Sequence, residues 1–314
     1  MHDMKFSILI PAYKSRFIKK TIESILSQTY SNFEIIIVDD ASPEDIRSIV
    51  NAFNDSRIRY YRNEKNCGAV NVVDNWNICL SYAKGDYVIC MGDDDMLTSE
   101  ALAEYNRLLT KYPQVNLLHS RVMIINENDK PTSVTLERAE YETLLSFVLQ
   151  RMQGRIQFIG DFCFKTSALR EVGGFFFLPL AWASDDISTF SCAKNGVANT
   201  NMPTFLYRSS RYTITRTGNI EIKLNAIMQE KQWYKDFIGN VKASTTIDKL
   251  ILKEIRENLD KSFIKKRART IGEDIRWHWT HLFKWTVMAR KYDLKLSVIV
   301  LAVIEAYKRR LHYS

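Results

Sequence analysis

Gly85-Asp86-Tyr87-Val88-Ile89-Cys90-Met91-Gly92-Asp93-Asp94-Asp95 is the stretch on which the fold turns. The apolar run Tyr87 to Met91 lacks the apolar–polar alternation of a half-exposed strand and reads as one buried on both faces. It ends in Gly92 and three adjacent carboxylates, which repel one another. A hard divalent cation, Mg²⁺ or Mn²⁺, relieves such repulsion by combining a few carboxylate oxygens with phosphate oxygens. Taken alone, the triplet is better read as a solvated acidic turn before a helix at Ser99. The rest of the chain reverses that preference.

Upstream, Lys5 to Ile10 reads as a first strand stopped by Pro11, and Ile18, Ile22, Ile25 and Leu26 recur at helical spacing. Phe33 to Val38 is a second buried strand that ends in Asp39-Asp40. Ser42-Pro43-Glu44-Asp45 has the composition of a helix start. Ile58–Tyr61 predicts a third strand and Val70–Tyr82 a helix. Strands alternating with helices imply an α/β fold, a parallel sheet with helices on both faces. Ligands of such sheets sit beyond the carboxyl ends of the strands. Those ends carry Pro11-Ala12-Tyr13, Asp39-Asp40 and Asp93-Asp94-Asp95. Neither GxGxxG nor GxxxxGK[ST] follows the first strand, which argues against dinucleotide and P-loop enzymes.

Downstream, the pattern predicts a helix over Ser99–Tyr112, a strand over Val115–Ser120 and a hairpin from Val122–Ile125 through the turn at Glu127–Lys130. Ile156–Phe164 is strand-like, and the short helix Ser167–Val172 is closed by Gly173-Gly174. Trp182 to Asp186 opens a helix over Ile187–Ala193. Helices then follow over Lys223–Phe237, Ile247–Ala268, Glu273–Lys291 and Leu294–Leu311.

The chain has 314 residues, 46% hydrophobic and 25% charged, as a folded globular protein does. Its net charge of +8 is concentrated in the tail. From Lys261 onward there are 13 Lys/Arg against 4 Asp/Glu, and before it 31 against 32. No recognition motif accompanies this basicity, so nucleic acid is not the expected partner. The five cysteines form no CxxC pair, and together with the lack of a signal peptide they point to the reducing cytoplasm. The apolar run Val298–Ile304 is far short of the ~20 residues a membrane span needs. His119 reads as a core residue of a strand, and His278-x-x-His281 lacks a third ligand for zinc.

Taken together, these motifs resemble the family 2 glycosyltransferases of the GT-A fold. The matching stretches are Phe6–Tyr13, Ser24–Tyr30, Phe33–Ser42, Gly85–Asp95, Val172–Phe175 and Ser184-Asp185-Asp186, in the family's order. Asn75-Trp76-Asn77 is similar to one subgroup. The resemblance covers Lys5 to Arg216 and implies a catalytic domain over 1–218, with a nucleotide-sugar half to about 97 and an acceptor half beyond it. A helical region follows over 219–314. It implies inverting transfer of a sugar from a nucleotide diphosphate donor, UDP or dTDP favoured, in cell-surface polysaccharide or glycolipid synthesis. Pro11, Ala12 and Tyr13 would wall the base, and Asp40 or Asp39 would accept a base N–H. Asp93 would meet the ribose and Asp94 the Mn²⁺ or Mg²⁺, with Asp95 as a neighbouring or alternative ligand. Asp186 would be the general base, with Asp185 in the place of a common Glu. The acceptor would be a carbohydrate or lipid-linked saccharide. Leu206-Tyr207-Arg208-Ser209-Ser210-Arg211 departs from the pattern by offering no histidine, which implies either weaker metal dependence or contact of Ser210, Arg208 or Arg211 with the diphosphate instead. A non-catalytic nucleotide-sugar binder or a nucleotidyltransferase are the alternative readings. The basic tail, with Trp277, Trp279, Phe283 and Trp285, predicts either peripheral contact with an anionic membrane on its inner face or packing of these aromatics against the catalytic domain with the basic face solvated.

Overall fold

The apolar runs become strands and the periodic segments helices in a computed structural model that describes residues 3–210 and 219–311. The first half alternates: β1 (Phe6–Ala12), α1 (Ile18–Leu26), β2 (Phe33–Asp39), α2 (Ile46–Asn51), β3 (Ile58–Arg62), α3 (Val72–Tyr82) and β4 (Tyr87–Cys90). β3, β2, β1 and β4 lie side by side and parallel. Successive residues serve opposite faces. Ile8, Ile10, Ile35 and Ile37 join Ile22 of α1 in one buried cluster, whereas Leu9, Ile36 and Val38 join Trp76 of α3 in another. Helices cover both faces, which is why these strands are apolar throughout.

The second half comprises β5 (Met96–Leu97), α4 (Ala101–Lys111), β6 (Leu117–Ile125), β7 (Pro131–Val134), β8 (Tyr141–Glu142), α5 (Leu144–Met152), β9 (Phe162–Lys165), α6 (Thr166–Glu171), α7 (Ser184–Cys192) and β10 (Val197–Arg208). β9 pairs antiparallel with both β4 and β6, while β10 runs parallel to β6. Among the described residues the sheet order is β3-β2-β1-β4-β9-β6-β10-β5, with β7 on β6 and β8 on β10. The sheet is therefore mixed beyond β4. Among the described residues, four helices close the chain: α8 (Ile220–Asn240), α9 (Thr246–Trp277), α10 (His281–Val287) and α11 (Leu296–Leu311). Tyr234 of α8 bridges Phe190 of α7 and Phe263 of α9, with ring centroids 6.0 and 5.6 Å away.

The strand over Ile156–Phe164 shrinks to Phe162–Lys165. Before it, Gly160 is pressed against the Phe205 ring and Phe158 stacks on Tyr207 at 3.7 Å, so the chain leaves the sheet there. Asp45, not Ser42, caps α2, accepting the Ser48 N–H. The break predicted between Ala268 and Glu273 does not exist: α9 runs unbroken to Trp277. Gly272 instead lets α11 approach, since a Cβ there would lie 2.9 Å from the Ala302 carbonyl oxygen. α9 ends at Trp277 with His278 as its cap and His281 opens the next helix, so the two histidines do not lie on one helix. His119 is buried in β6, as expected. Trp285 leaves the predicted membrane set, because it is fully buried with Nε1 donating to Asp274 at 2.7 Å. Trp277, Trp279 and Phe283 remain exposed.

Candidate active site

Three strand ends are knitted together by hydrogen bonds. Ala12 O accepts the Asp40 N–H at 2.9 Å, and Tyr13 O accepts the Ser42 hydroxyl at 2.6 Å. From the β4 end, Asp93 Oδ2 accepts both the Tyr13 and the Lys14 N–H at 2.7 Å. Asp93 thus holds the loop after β1, and burial beside the Asp94 charge pushes its carboxyl up to about 6. Ala12 is fully buried and contributes backbone rather than a wall; Tyr13 is the exposed ring, 44% accessible.

The two aspartates after β2 have separate roles. Asp39 is fully buried and spent within the fold on the Ser42 N–H, the Tyr60 hydroxyl and the Arg62 guanidinium. This takes it out of contention as the base acceptor. Asp40 Oδ1 accepts Asn63 Nδ2 at 2.8 Å and the Cys67 N–H at 2.9 Å, which among the described residues leaves Oδ2 with a 3.2 Å contact to Cys67 N. Asn75 supports this corner, accepting from Asn63 and donating to Val38 O. Asn77 grips both backbone groups of Phe175, where Gly174 adopts φ +90° and a side chain would collide with Asn77.

In the triplet, Asp95 is buried with Oδ1 accepting the Arg208 N–H at 2.9 Å. Desolvation and the Asp94 charge push its carboxyl well above the ordinary range, and burial raises Asp94 as well. Among the described residues, the Asp94 side chain hydrogen-bonds to no other residue's group. A Cβ on Gly92 would meet Asp94 Oδ1 at 2.8 Å and Asp95 Oδ2 at 3.0 Å, so both oxygens converge over this glycine. Two converging hard donors with excess negative charge fit Mg²⁺ or Mn²⁺, which bind through one or two carboxylates plus substrate phosphates. No group of three or more His, Cys, Asp or Glu among the described residues forms a complete cage.

Arg208 is not the diphosphate contact predicted for it. It is fully buried, and its guanidinium donates to Asp94 O at 2.7 Å, to Asn126 O at 3.0 Å and to Asp129, lying over the Phe17 ring. It latches the acidic turn from behind. Ser210 is buried, and Arg211 lies outside the described residues.

The acid pair opens α7. Leu180, Ala181 and Ala183 just before it all have positive φ, between 51° and 73°. Such residues cost roughly 1–3 kcal/mol each and persist where packing over-determines them. Asp186 is buried, and its Oδ1 accepts Arg151 Nε at 2.6 Å and Gln157 Nε2 at 2.7 Å. Its Oδ2 remains for a proton. Burial and the Asp186 charge push Asp185 up to about 7 from an ordinary 3.8. The unfolded chain therefore ionises Asp185 earlier than the fold does, and stability drains as pH rises from about 4 to about 7. Asp185→Asn is expected to melt higher than the parent at about pH 8 and level with it at about pH 4; equal melting at both would refute the shift.

Gln157 and Arg151, which hold Asp186, carry no signal in the sequence. Gly160 in the same segment lies 3.3 Å, measured from its would-be Cβ, from the Cβ of Met91, the residue before Gly92. The turn Ala69–Asn71, just after Cys67, packs against the turn Pro179–Ala181 before the pair. Asp186 also lines a cleft of about 1690 Å³ between α7 and the tail helices.

The sequence profile of Glycosyl transferase family 2 matches residues 7–178. The chain is 33% identical over 129 residues to an Escherichia coli UDP-Glc:α-D-GlcNAc-diphosphoundecaprenol β-1,3-glucosyltransferase, covering 41% of this chain and 49% of that protein. The chain thus spans about half the length of the curated relatives it matches. In three dimensions it is similar to S. aureus TarS solved with UDP-GlcNAc, at TM-score 0.68 and 17% identity, over 98% of this chain and 92% of that one. It is also similar to a Pyrobaculum calidifontis mannosyltransferase solved with GDP-Man and Mn²⁺, at TM-score 0.55 and 16% identity, over 97% and 87%. The profile match over more than half the chain, on a GT-A fold, makes this protein a member of glycosyl transferase family 2.

Proposed function

We propose that the chain moves a sugar from a nucleoside diphosphate donor to an acceptor hydroxyl with inversion, in cell-surface polysaccharide or glycolipid synthesis. One observation carries this reading: the triplet and the acid pair are bridged by a single segment, Gln157 touching Asp186 and Gly160 touching Met91. Tyr13 flanks the base, and Asp40 Oδ2 accepts a ring N–H of uracil or thymine. UDP-sugars in the names of a relative and a neighbour support that base. Asp94, with Asp95 Oδ2, would hold a divalent ion, which when bound neutralises the departing diphosphate. Asp186, oriented by Arg151 and Gln157, takes the proton of the attacking hydroxyl. Asp185, its carboxyl pushed up to about 7, lies beside it and feels the charge of the same Arg151 guanidinium. The boundary near residue 218 separates this machinery from a helical region that serves the acceptor.

A thermal-shift panel of nucleotide sugars with Mn²⁺ tests the donor site. A ligand at a hundredfold excess over Kd adds about 2.7 kcal/mol to the folded state. A rise of several degrees with UDP- or dTDP-sugars is expected, and no rise with any nucleotide sugar would refute the site.

The acceptor we assign is a lipid-linked saccharide, such as the relative's name specifies for that enzyme. No helix of the described residues is long and apolar enough to cross a membrane. Leu296, Val300, Ile304 and Tyr307 nonetheless form an exposed apolar stripe along α11, beside exposed Phe283, Val287, Trp277 and Trp279. Lys284, Lys291, Lys295 and Arg310 accompany them. This combination suits an anionic bilayer surface, on the inner face of the membrane. The chain is expected to float with anionic vesicles, to be released by salt and to ignore neutral ones. Flotation undiminished by Val300→Glu with Ile304→Glu would end this proposal.

A further inference from the structure

α9 carries Lys261, Lys265 and Arg269 four residues apart, all exposed and none with an ion-pair partner among the described residues. Other cations of the same helix are matched: Lys266 binds both oxygens of Glu230, and Arg267 binds Asp293. Like charges at this spacing destabilise a helix. The three open cations line the cleft that Asp186 also lines, together with Arg151 and Arg276. Lys266, held by Glu230, is close enough to Asp185 to lower its proton affinity, which places the acid pair beside the middle of α9. From Lys266 the helix runs about 15 Å to Arg276 and Trp277 at the far end of the cleft.

A neutral sugar would offer this row of cations hydroxyl acceptors but no opposite charge. Phosphate oxygens would satisfy them, since lysine attracts phosphate as a point charge and arginine grips it with a fork of donors. We propose that the cleft is an acceptor site for a saccharide carrying phosphate groups, with the accepting hydroxyl at Asp186 and the phosphate oxygens on Lys265 and Arg269. This rests on the transferase reading above and adds the chemical class of its acceptor. It also gives the tail a role in the site: α9 supplies the charge and the exposed end of the tail is where the acceptor enters.

The probe is inorganic tripolyphosphate, titrated into the full chain with UDP saturating so that the donor's diphosphate position is filled. The wild type should bind it, and added salt should weaken binding. Lys265→Gln combined with Arg269→Gln should weaken it about tenfold or more. Lys253→Gln, on the same helix but outside the cleft, should leave it unchanged. Binding that survives the double substitution, or that Lys253→Gln weakens equally, would overturn the assignment. Flotation with anionic vesicles separates the two sources of phosphate. The double variant should float as the wild type does; loss of flotation would mean that these cations serve bilayer headgroups, and the acceptor site would fall. Breakdown of the nucleotide sugar by the wild type keeps the two readings apart. Its absence would overturn both, whereas breakdown with tripolyphosphate binding unaltered by the double substitution would overturn the cleft's role alone.

Discussion

Asp94→Asn is expected to lower turnover on the order of a hundred- to a thousandfold, the usual cost of removing one preorganised group that meets developing charge. The fold should survive intact. Asp94 is half-exposed, and its side chain hydrogen-bonds to no other described residue's group, so the amide removes charge without opening a buried gap. Desolvation and the neighbouring Asp94 carboxylate both raise Asp93 and Asp95, so removing that charge relieves repulsion in the folded state. The variant should therefore melt slightly higher than the parent while losing activity. Structural damage would move the two readouts together. Near-wild-type turnover at saturating Mn²⁺ would remove Asp94 from the metal site.

Asp186→Asn is expected to cost on the order of 10²- to 10⁴-fold in kcat, the range for a positioned general base. Donor affinity should change little, because the donor contacts assigned here are Tyr13, Asp40 and the triplet. The asparagine keeps an oxygen for Gln157 but loses the charge opposite Arg151. Asp185 lies close enough to share that guanidinium's charge, which limits the structural loss. UDP binding measured on the same sample reports whether the site is still folded. If UDP binding and kcat fell in parallel, Asp186 would be a donor contact rather than the base.

The parallel half of the sheet and its acidic ends were legible because they obey local rules. Phe6–Ile10 and Phe33–Val38 are buried on both faces, and their largely apolar composition before a polar turn shows it. β10 was not legible. Asn199, Thr200 and Thr204 are buried in it, where Asn199 Nδ2 donates to Ala139 O, Thr200 accepts the Arg121 N–H and Thr204 shares a hydrogen bond with Ser120. Those partners lie 79 or more positions away for Thr200 and Thr204, and such pairing leaves no local pattern. Arg208 is similar: its bond to Asp94 O spans 114 positions, so its role as a latch leaves no local pattern. Asp186 could be named from its neighbours Ser184 and Asp185, but Arg151, 35 positions before it, could not. The cleft cations show in the sequence only as tail basicity. Their spacing becomes meaningful once α9 is seen to run unbroken through Ala268 and Gly272.

The proposed reaction breaks the bond between a sugar and a nucleoside diphosphate at a metal-assisted site. The most direct measurement is the identity of the nucleotide released when the full chain is incubated with UDP- and dTDP-sugars, Mn²⁺ and a phosphate-linked saccharide acceptor. Release of UDP or dTDP, abolished by chelation and by Asp94→Asn and accompanied by a product of inverted anomeric configuration, is the predicted result. Release of pyrophosphate from a nucleoside triphosphate, or binding of nucleotide sugars with none consumed, would contradict it.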